Sequence, residues 1–555
     1  MKVRTYHNGD DVFIGWKPDG VIPKCRGFAL IRRRNGVEVP VKTWVGFETD
    51  EWEEGDRRSS TDWPIQKYQW TDYMAAPGDT LQYRVVPMVG NDKKNLLPDE
   101  SLASDWTDEI TLSSEVTPNM EAYFNRGIVA AQWVSRRLGV TATDLKTAKL
   151  KKIISTPDDP FRNYLSGPLG ARLFALLEET RKKKRHVYAV LCELDDPQLI
   201  AAVKKLGKKA HVVLGNGSVE KKGQDQNEEA RGELAGKIDL HDRMTSPRAL
   251  AHNKFLVVCE GSKKPRWVWT GSQNWTKTGL CTQANNSVLI DDRGLAAKYR
   301  DQWDRLRDAK EASPEDLKTG NSKVRKETTG KVDTRLWFTP TVGQVDLDEA
   351  KKKILGAKQA ILFLMFNPGP ADTLLNSIID KARKKKVGGK TLYIHGAINQ
   401  DPSTTKNPVR LFDESNFENA DYDVVLPAAI DEPTKFFVRE MKKLPGTFAM
   451  VHSKVVLIDP FGKHPILLTG SHNLGPKASG VNDENLLIIE DAPGLAAAYA
   501  ANIMAVYNQY RWRFRRQVQP PAKRWKGLKD TDTWQKGYLK KGSRSLREID
   551  FWVGE

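Results

Sequence analysis

The spacing of apolar residues along this chain changes near residue 115. Before it, apolar runs are short, as in Val12-Phe-Ile-Gly-Trp16, Phe28-Ala-Leu-Ile-Arg-Arg33 and Leu81-Gln-Tyr-Arg-Val-Val-Pro87, with Gly, Pro, Asn and Asp between them. Such runs predict strands and turns, hence an all-β sandwich over 1–113. From 118 the pattern alternates between helical and extended periods. It predicts helices over 120–138, 169–184, 197–206 and 294–306, strands over 186–194 and 210–214, and an exposed polar loop over 215–236. Residues 309–332 are charged and poor in large apolar side chains, which suits a linker. The order then repeats: helix 346–355, strand 360–366, helix 371–386, strand 391–394, a long polar connection and helix 493–510. A repeated βαβ order predicts two similar α/β lobes, 118–308 and 333–510.

Composition adds limits. The 555 residues exceed one core and suggest three or four domains at about 150 residues each. Hydrophobic content of 39% and charged content of 29% fit a globular protein. No stretch approaches the roughly 18 apolar residues of a membrane span. The start lacks the apolar region of a secretory signal, and four cysteines without ligand spacing suit a reducing compartment. A cytoplasmic protein is expected. The net charge of +17 is unevenly spread: residues 1–110 hold 15 Lys+Arg against 19 Asp+Glu, leaving a surplus of 21 positive charges on the remainder. That surplus attracts polyanions, either nucleic acid or an anionic membrane surface. The tail 511–555 carries 13 Lys+Arg, 5 Asp+Glu and 7 aromatic residues. It is too poor in aliphatic residues for its own core, so it is either disordered or draped on another surface. Its alternation of basic and aromatic residues around Trp512, Phe514, Arg515, Arg516 and Trp525 suits base stacking and a membrane interface alike.

Chemistry lies in two matching stretches. The first is His252-Asn-Lys254, an apolar run, then Gly271-Ser272-Gln-Asn274. The second is His452-Ser-Lys454, an apolar run ending at Asp459, then Gly470-Ser471-His-Asn473. A His and a Lys two apart in an extended segment share a face. The Gly-Ser-x-Asn turn adds a hydroxyl, an amide and close backbone approach. Doubled, the pattern brings two imidazoles and two ammonium groups to one anionic centre. That set suits a phosphodiester: lysines and amides meet the charge on the non-bridging oxygens. One neutral imidazole can attack phosphorus and a protonated one can serve the leaving oxygen.

These motifs resemble the phospholipase D superfamily signature, H-x-K-x4-D followed by G-S-x-N. The second copy is complete, and the first has Cys259 in place of the Asp. Each copy also carries a downstream pair, Asn285-Asn286 and Glu484-Asn485. The resemblance spans roughly 118–510. It implies two phospholipase D-like lobes related by pseudo-two-fold symmetry around one site, a covalent phosphohistidine and no metal or other cofactor. By the same resemblance His252 is the nucleophile and His452 the general acid/base, with the reverse assignment left open. Lys254, Lys454, Asn274, Asn473, Ser272, Ser471, Glu484, Asn285 and Asp459 bind phosphate or support the site. Residues 1–113 resemble a fibronectin type III or immunoglobulin-like sandwich, with Trp16 in the core, Tyr83 as corner tyrosine and an unknown partner.

Three functional readings follow. The favoured one is a phosphodiesterase acting on nucleic acid. The second is a phospholipase D acting on glycerophospholipid, by hydrolysis or headgroup transfer, with Leu426-Pro-Ala-Ala-Ile430 as candidate apolar loop. The third is an inactive scaffold. Other features take structural readings: His211 as a satisfied core histidine, Cys259 as core filling, and the basic runs Arg181–Arg185 and Lys384–Lys386 as helix ends. His241-Asp242-Arg243 is a lesser candidate for the cleft lining.

Overall fold

Two eight-stranded sheets with the same strand order form the middle of the molecule. The structure, a computed structural model, describes residues 1–127, 131–138, 143–383, 391–411, 422–430, 435–437, 439–440, 450–521 and 524–554. The first sheet runs Glu115–Thr117, Met120–Phe124, Asn286–Asp291, Pro265–Gly271, Lys254–Cys259, His186–Leu191, Ala210–Gly215, Asp239–Arg243. The second runs Arg325–Thr329, Val332–Phe338, Asn485–Glu490, Ile466–Gly470, Lys454–Ile458, Ala360–Met365, Tyr393–Ile398, Asp423–Val425. In both, neighbours are antiparallel up to the sixth strand, and the last two pairings are parallel. The parallel edge needs crossover helices, and helix Pro197–Leu206 is one. Asp196 caps its start, accepting from the N–H groups of Gln198 and Leu199, and Gly207 ends it at positive φ.

Apolar side chains fill three layers around these sheets. The outer face of the first sheet packs on helices Pro160–Lys182 and Pro197–Leu206. The outer face of the second packs on Val345–Leu355 and Leu374–Arg383. Between the sheets, residues of both lobes share one core with helices Arg293–Ala309 and Pro493–Val518. Burial on both faces explains one departure from the sequence pattern. Met120–Phe124, expected as helix, is a strand paired with Asn286–Asp291. Met120, Ala122 and Phe124 face the central core while Tyr123 faces the outer one, so the apolar run loses the alternation that marks a half-buried strand. Ala131–Leu138 is helical.

The stretch 309–332, expected as a linker, carries helix Glu315–Asn321 and strand Arg325–Thr329. Among the described residues that strand pairs only with Val332–Phe338, at the sheet edge, where a short charged strand is tolerated. The expected loop 215–236 contains helix Glu228–Leu234, anchored by buried Ala230 and Leu234. Of the basic runs, Arg181 pairs with Glu178 at the end of its helix, and Lys384–Lys386 lies outside the described residues.

The N-terminal region is β-rich. A three-stranded sheet (Lys2–His7, Val12–Lys17, Gln69–Asp72) faces a five-stranded one built on Cys25–Arg34 and Thr80–Val89. Trp16 and Tyr83 are buried between them, and the Tyr83 hydroxyl donates to Asp72 at 3.0 Å. The tail is built into the molecule. Helix Pro493–Val518 runs past Tyr510, placing Arg513 on Glu440, Arg515 on Asp423 and Trp512 4.7 Å from Phe437. Farther on, the Trp534 indole donates to the Cys25 carbonyl at 3.0 Å. Helix Arg544–Val553 lies against the first two strands of the chain, with Trp552 4.4 Å from Phe13. Among the described residues, no helix is long and apolar enough to cross a membrane.

Candidate active site

The two motif strands, Lys254–Cys259 and Lys454–Ile458, occupy the same fifth position in their sheets. The histidines precede them, in segments that cross to the other lobe. The His252 N–H donates to the carbonyl of Asp483, whose own N–H donates to Leu250, both at 2.9 Å. The His452 N–H donates to the carbonyl of Ala284 at 3.0 Å, beside a two-residue parallel pairing of Gln283–Ala284 with Met450–Val451. Each half therefore presents its histidine against the downstream pair of the other.

Side chains follow this exchange. His252 Nδ1 lies 3.0 Å from Glu484 Oε2, and His452 Nδ1 lies 2.9 Å from Asn285 Oδ1. A carboxylate only accepts, so His252 carries its proton on Nδ1. The Asn285 amide donates to the Gly279 carbonyl and its oxygen accepts from Ser272 Oγ at 2.8 Å. That fixes the amide orientation and gives His452 the same tautomer. Nε2 of each ring is left for chemistry. The Lys254 and Lys454 ammonium groups each donate to the carbonyl of their own motif histidine, at 2.7 and 2.6 Å.

Ser272 and Ser471 brace the turns. Ser272 Oγ accepts from the Asn286 N–H at 3.1 Å and Ser471 Oγ from the Asn485 N–H at 3.0 Å. The preceding glycines allow this approach. A Cβ on Gly271 would lie 2.2 Å from the Asn286 carbonyl oxygen, and one on Gly470, at φ +135°, 2.4 Å from that of Asn485. A buried polar belt joins the halves beneath. Thr270 donates to Asn485 at 2.9 Å, Asn485 to Asn253 at 3.0 Å, and Asn286 to Thr469 at 2.7 Å.

Burial dominates the electrostatics. It lowers His252 to about 4, against the opposing pull of Glu484, and holds His452 well below its ordinary value with help from Lys454 and Lys254. Burial and the neighbouring Lys254 also hold Lys454 well below the usual lysine range. Burial raises the Glu484 carboxyl, but His252, His472 and Asn482 together more than offset it and leave the group below its ordinary value. The cleft thus holds neutral imidazoles and crowded cationic groups, an arrangement that an anion relieves.

The structure brings His252, His452, Lys254, Lys454, Ser272, Ser471, Asn285 and Glu484 together. Asn274 and Asn473 sit in the turns beside them, each with a buried side-chain oxygen lacking a partner. Asp459 lies elsewhere: its carboxylate accepts from the N–H groups of Lys358, Gln359 and Ala360 at 2.6–3.2 Å, at the far end of the strand. Cys259, its counterpart, is fully buried, and burial pushes its thiol up to about 12.

Three residues of the cleft region were not singled out from sequence or were given lesser weight. Arg243, fully buried, makes a two-pronged ion pair with Asp483, at 2.6 and 3.0 Å, beside Glu484. Glu193, at the end of an apolar strand, accepts from Asn274 Nδ2 at 2.7 Å. Phe366 stands 4.8 Å from the His452 ring and 4.6 Å from the Lys454 ammonium. A charged residue closing an apolar run was the available signal for Glu193. His241 and His211 instead share Asp239, at 3.0 and 2.6 Å. The candidate apolar loop is packed: Ile430 is buried and Leu426 lies against two cores. Among the described residues, no group of three His, Cys, Asp or Glu is placed to hold a metal ion.

Comparison with known proteins identifies the frame. A family model described as "Cardiolipin synthase, PLD-like domain" matches residues 169–307 and 350–507, more than half of the chain. No curated protein matches the chain in sequence. Among solved structures, phosphatidylserine synthase of Haemophilus influenzae Rd KW20 is similar at 13% identity, over 69% of this chain and 91% of its own, with a TM-score of 0.41. Polyphosphate kinase of Porphyromonas gingivalis is similar at 10% identity and TM-score 0.36; the match takes in 57% of this chain and only 45% of the kinase. A variant of yeast tyrosyl-DNA phosphodiesterase is similar at 10% identity over 58% of this chain and 87% of its own, with TM-score 0.32.

Proposed function

The chain belongs to the cardiolipin synthase PLD-like domain family, and on that footing we propose that it cleaves a phosphodiester through a covalent phosphohistidine on His252. The supporting observation is the pair of unequal cross-lobe contacts, Glu484 on His252 and Asn285 on His452. A carboxylate on Nδ1 makes the opposite nitrogen a better nucleophile and offsets the positive charge the ring gains when it bonds phosphorus. A neutral amide orients His452 without holding its proton, as a group that gives and takes one requires.

The negative charge of the bound phosphodiester favours uptake of a proton from water at His452 Nε2; Nε2 of His252 then attacks phosphorus while His452 gives that proton to the departing oxygen. Lys254, Lys454, Asn274 and Asn473 surround the non-bridging oxygens, where charge concentrates. His452 then removes a proton from the incoming water, whose oxygen bonds phosphorus and frees His252. An incoming alcohol in place of water gives transfer rather than hydrolysis.

The favoured substrate is nucleic acid, on the surplus of positive charge beyond residue 110. Arg513 and Arg515 of the tail are engaged with Glu440 and Asp423, so the tail adds little to that reading. Glycerophospholipid is the second reading, favoured by the family description. Purified protein in EDTA is offered plasmid, single-stranded DNA, RNA and phospholipid vesicles. Cleavage of nucleic acid supports the first reading, and release of choline or ethanolamine without cutting moves the assignment to lipid. Full turnover by both His252→Ala and His452→Ala would sink the catalytic assignment.

A further inference from the structure

Position by position, the two half-sites match except at a few places, and one difference has no part in the chemistry above. Glu193 closes the strand that pairs with the first motif strand, where Leu191 faces Lys254 in register. In the second half Met365 faces Lys454, so the twin of Glu193 is the neutral Asn367. Glu193 is half-buried, with Oε2 accepting from Asn274 Nδ2 at 2.7 Å. Its backbone carbonyl accepts from the Trp275 N–H at 3.1 Å, holding it beside the Gly-Ser-x-Asn turn. Lys254 and Lys454 are close enough to act on its charge.

A carboxyl group at the rim of an anion site opposes the bound phosphate. Support of Asn274 does not require it, because the other half carries Asn473 in the twin turn without a carboxylate at the matching position, where Asn367 instead accepts from Asn399 Nδ2 at 3.4 Å. We infer that Glu193 reads the group attached to the phosphate: Oε1 accepts a hydrogen bond from a hydroxyl on the carbon next to the ester-bearing carbon. The inference rests on the phosphodiester reading of the cleft and deepens it. An ammonium group fits less well, since Lys254 and Lys454 repel it and burial already raises the carboxyl. A second phosphate is repelled by the carboxyl itself. A vicinal hydroxyl satisfies the carboxyl in either protonation state, because it both donates and accepts. Such a hydroxyl occurs in a glycerol headgroup and in a ribose.

Calorimetry on the full chain tests this with matched ligands: inorganic phosphate, sn-glycerol 3-phosphate against propyl phosphate, and uridine 3′-phosphate against 2′-deoxyuridine 3′-phosphate. The wild type should favour the hydroxyl-bearing member of one pair by about tenfold, and the pair that discriminates names the source. In Glu193→Leu that ratio should fall to near one, and Glu193→Gln should keep part of it. Phosphate binding with no discrimination in either pair, or a ratio unchanged in Glu193→Leu, overturns the inference alone. Failure of phosphate itself to bind overturns the anion site and the inference with it.

Discussion

The two half-sites hold the same His, Lys, Ser and Asn at matching places in their sheets, yet different residues support them. In the second half, Asp459 gathers three consecutive backbone N–H groups, of Lys358, Gln359 and Ala360, where the chain enters its sixth strand. In the first half Cys259 takes that place. There the N–H groups of Lys184 and Arg185 donate to the carbonyls of Arg181 and Thr180, at 3.0 and 2.9 Å, in the last turn of helix Pro160–Lys182. The helix runs almost directly into the strand, so its own end supplies the acceptors. Asp459 thus holds the entry of that strand, at the far end of the motif strand from the histidine, and the first copy forms its half of the cleft without it. The difference between Glu484 and Asn285 is of another kind, because it touches the imidazoles and sets them apart.

The largest effect should come from the histidines. His252→Ala is expected to lower kcat at least about 10⁴-fold, and His452→Ala about 10²- to 10⁴-fold. With a substrate bearing a good leaving group, His452→Asn should accumulate phosphoryl adduct on His252, seen by intact mass and peptide mapping. Adduct on His452 in the reciprocal variant instead would exchange the roles of the halves. Next comes the partner residue: Glu484→Gln should cost about 10²-fold in kcat with KM little changed, whereas Asn285→Asp should shift the pH profile more than the maximum rate.

A third test compares the imidazoles through stability. Both are held low in the fold, so protonation favours the unfolded chain. Stability is complete above the unfolded pKa near 6.5 and is lost as pH falls toward about 4 for His252. Urea titrations at pH 7 and 5 should differ by about 2 kcal/mol from His252 alone, and His252→Asn should flatten that limb. An unaltered limb in the variant would place the titration elsewhere. The smallest contrast separates the supports. Asp459→Ala should destabilise by about 2 kcal/mol through its stranded N–H groups, and Cys259→Ala by about 1 kcal/mol through lost packing. Equal losses of kcat in both would contradict the reading of Asp459.

The site was legible in the sequence because its spacing repeats: His-x-Lys, Gly-Ser-x-Asn and the downstream pair recur at matched intervals. Two lobes were legible for the same reason. The cross-lobe pairing of His252 with Glu484 was not, since nothing local tells which imidazole a distant carboxyl reaches. Glu193 and Arg243 escaped or were underrated because one acid or one arginine at a strand end reads as surface until its partners are known. Met120–Phe124 misled because both its faces are covered, and 309–332 because an edge strand needs few apolar side chains. The tail's basic and aromatic residues looked like a binding surface when many are contacts within the fold.

One of those contacts reaches across nearly the whole chain. The Tyr6 hydroxyl donates to the carbonyl of Trp552 at 2.9 Å, 546 residues away, and the Trp552 ring fills the space between Phe13 and Tyr393. Strands Lys2–His7 and Val12–Lys17 therefore complete their apolar face only with helix Arg544–Val553. Closing so long a loop is an entropic cost met late. The β-rich region and the second lobe thus share one late-closing contact, and truncation before residue 544 is expected to destabilise both together.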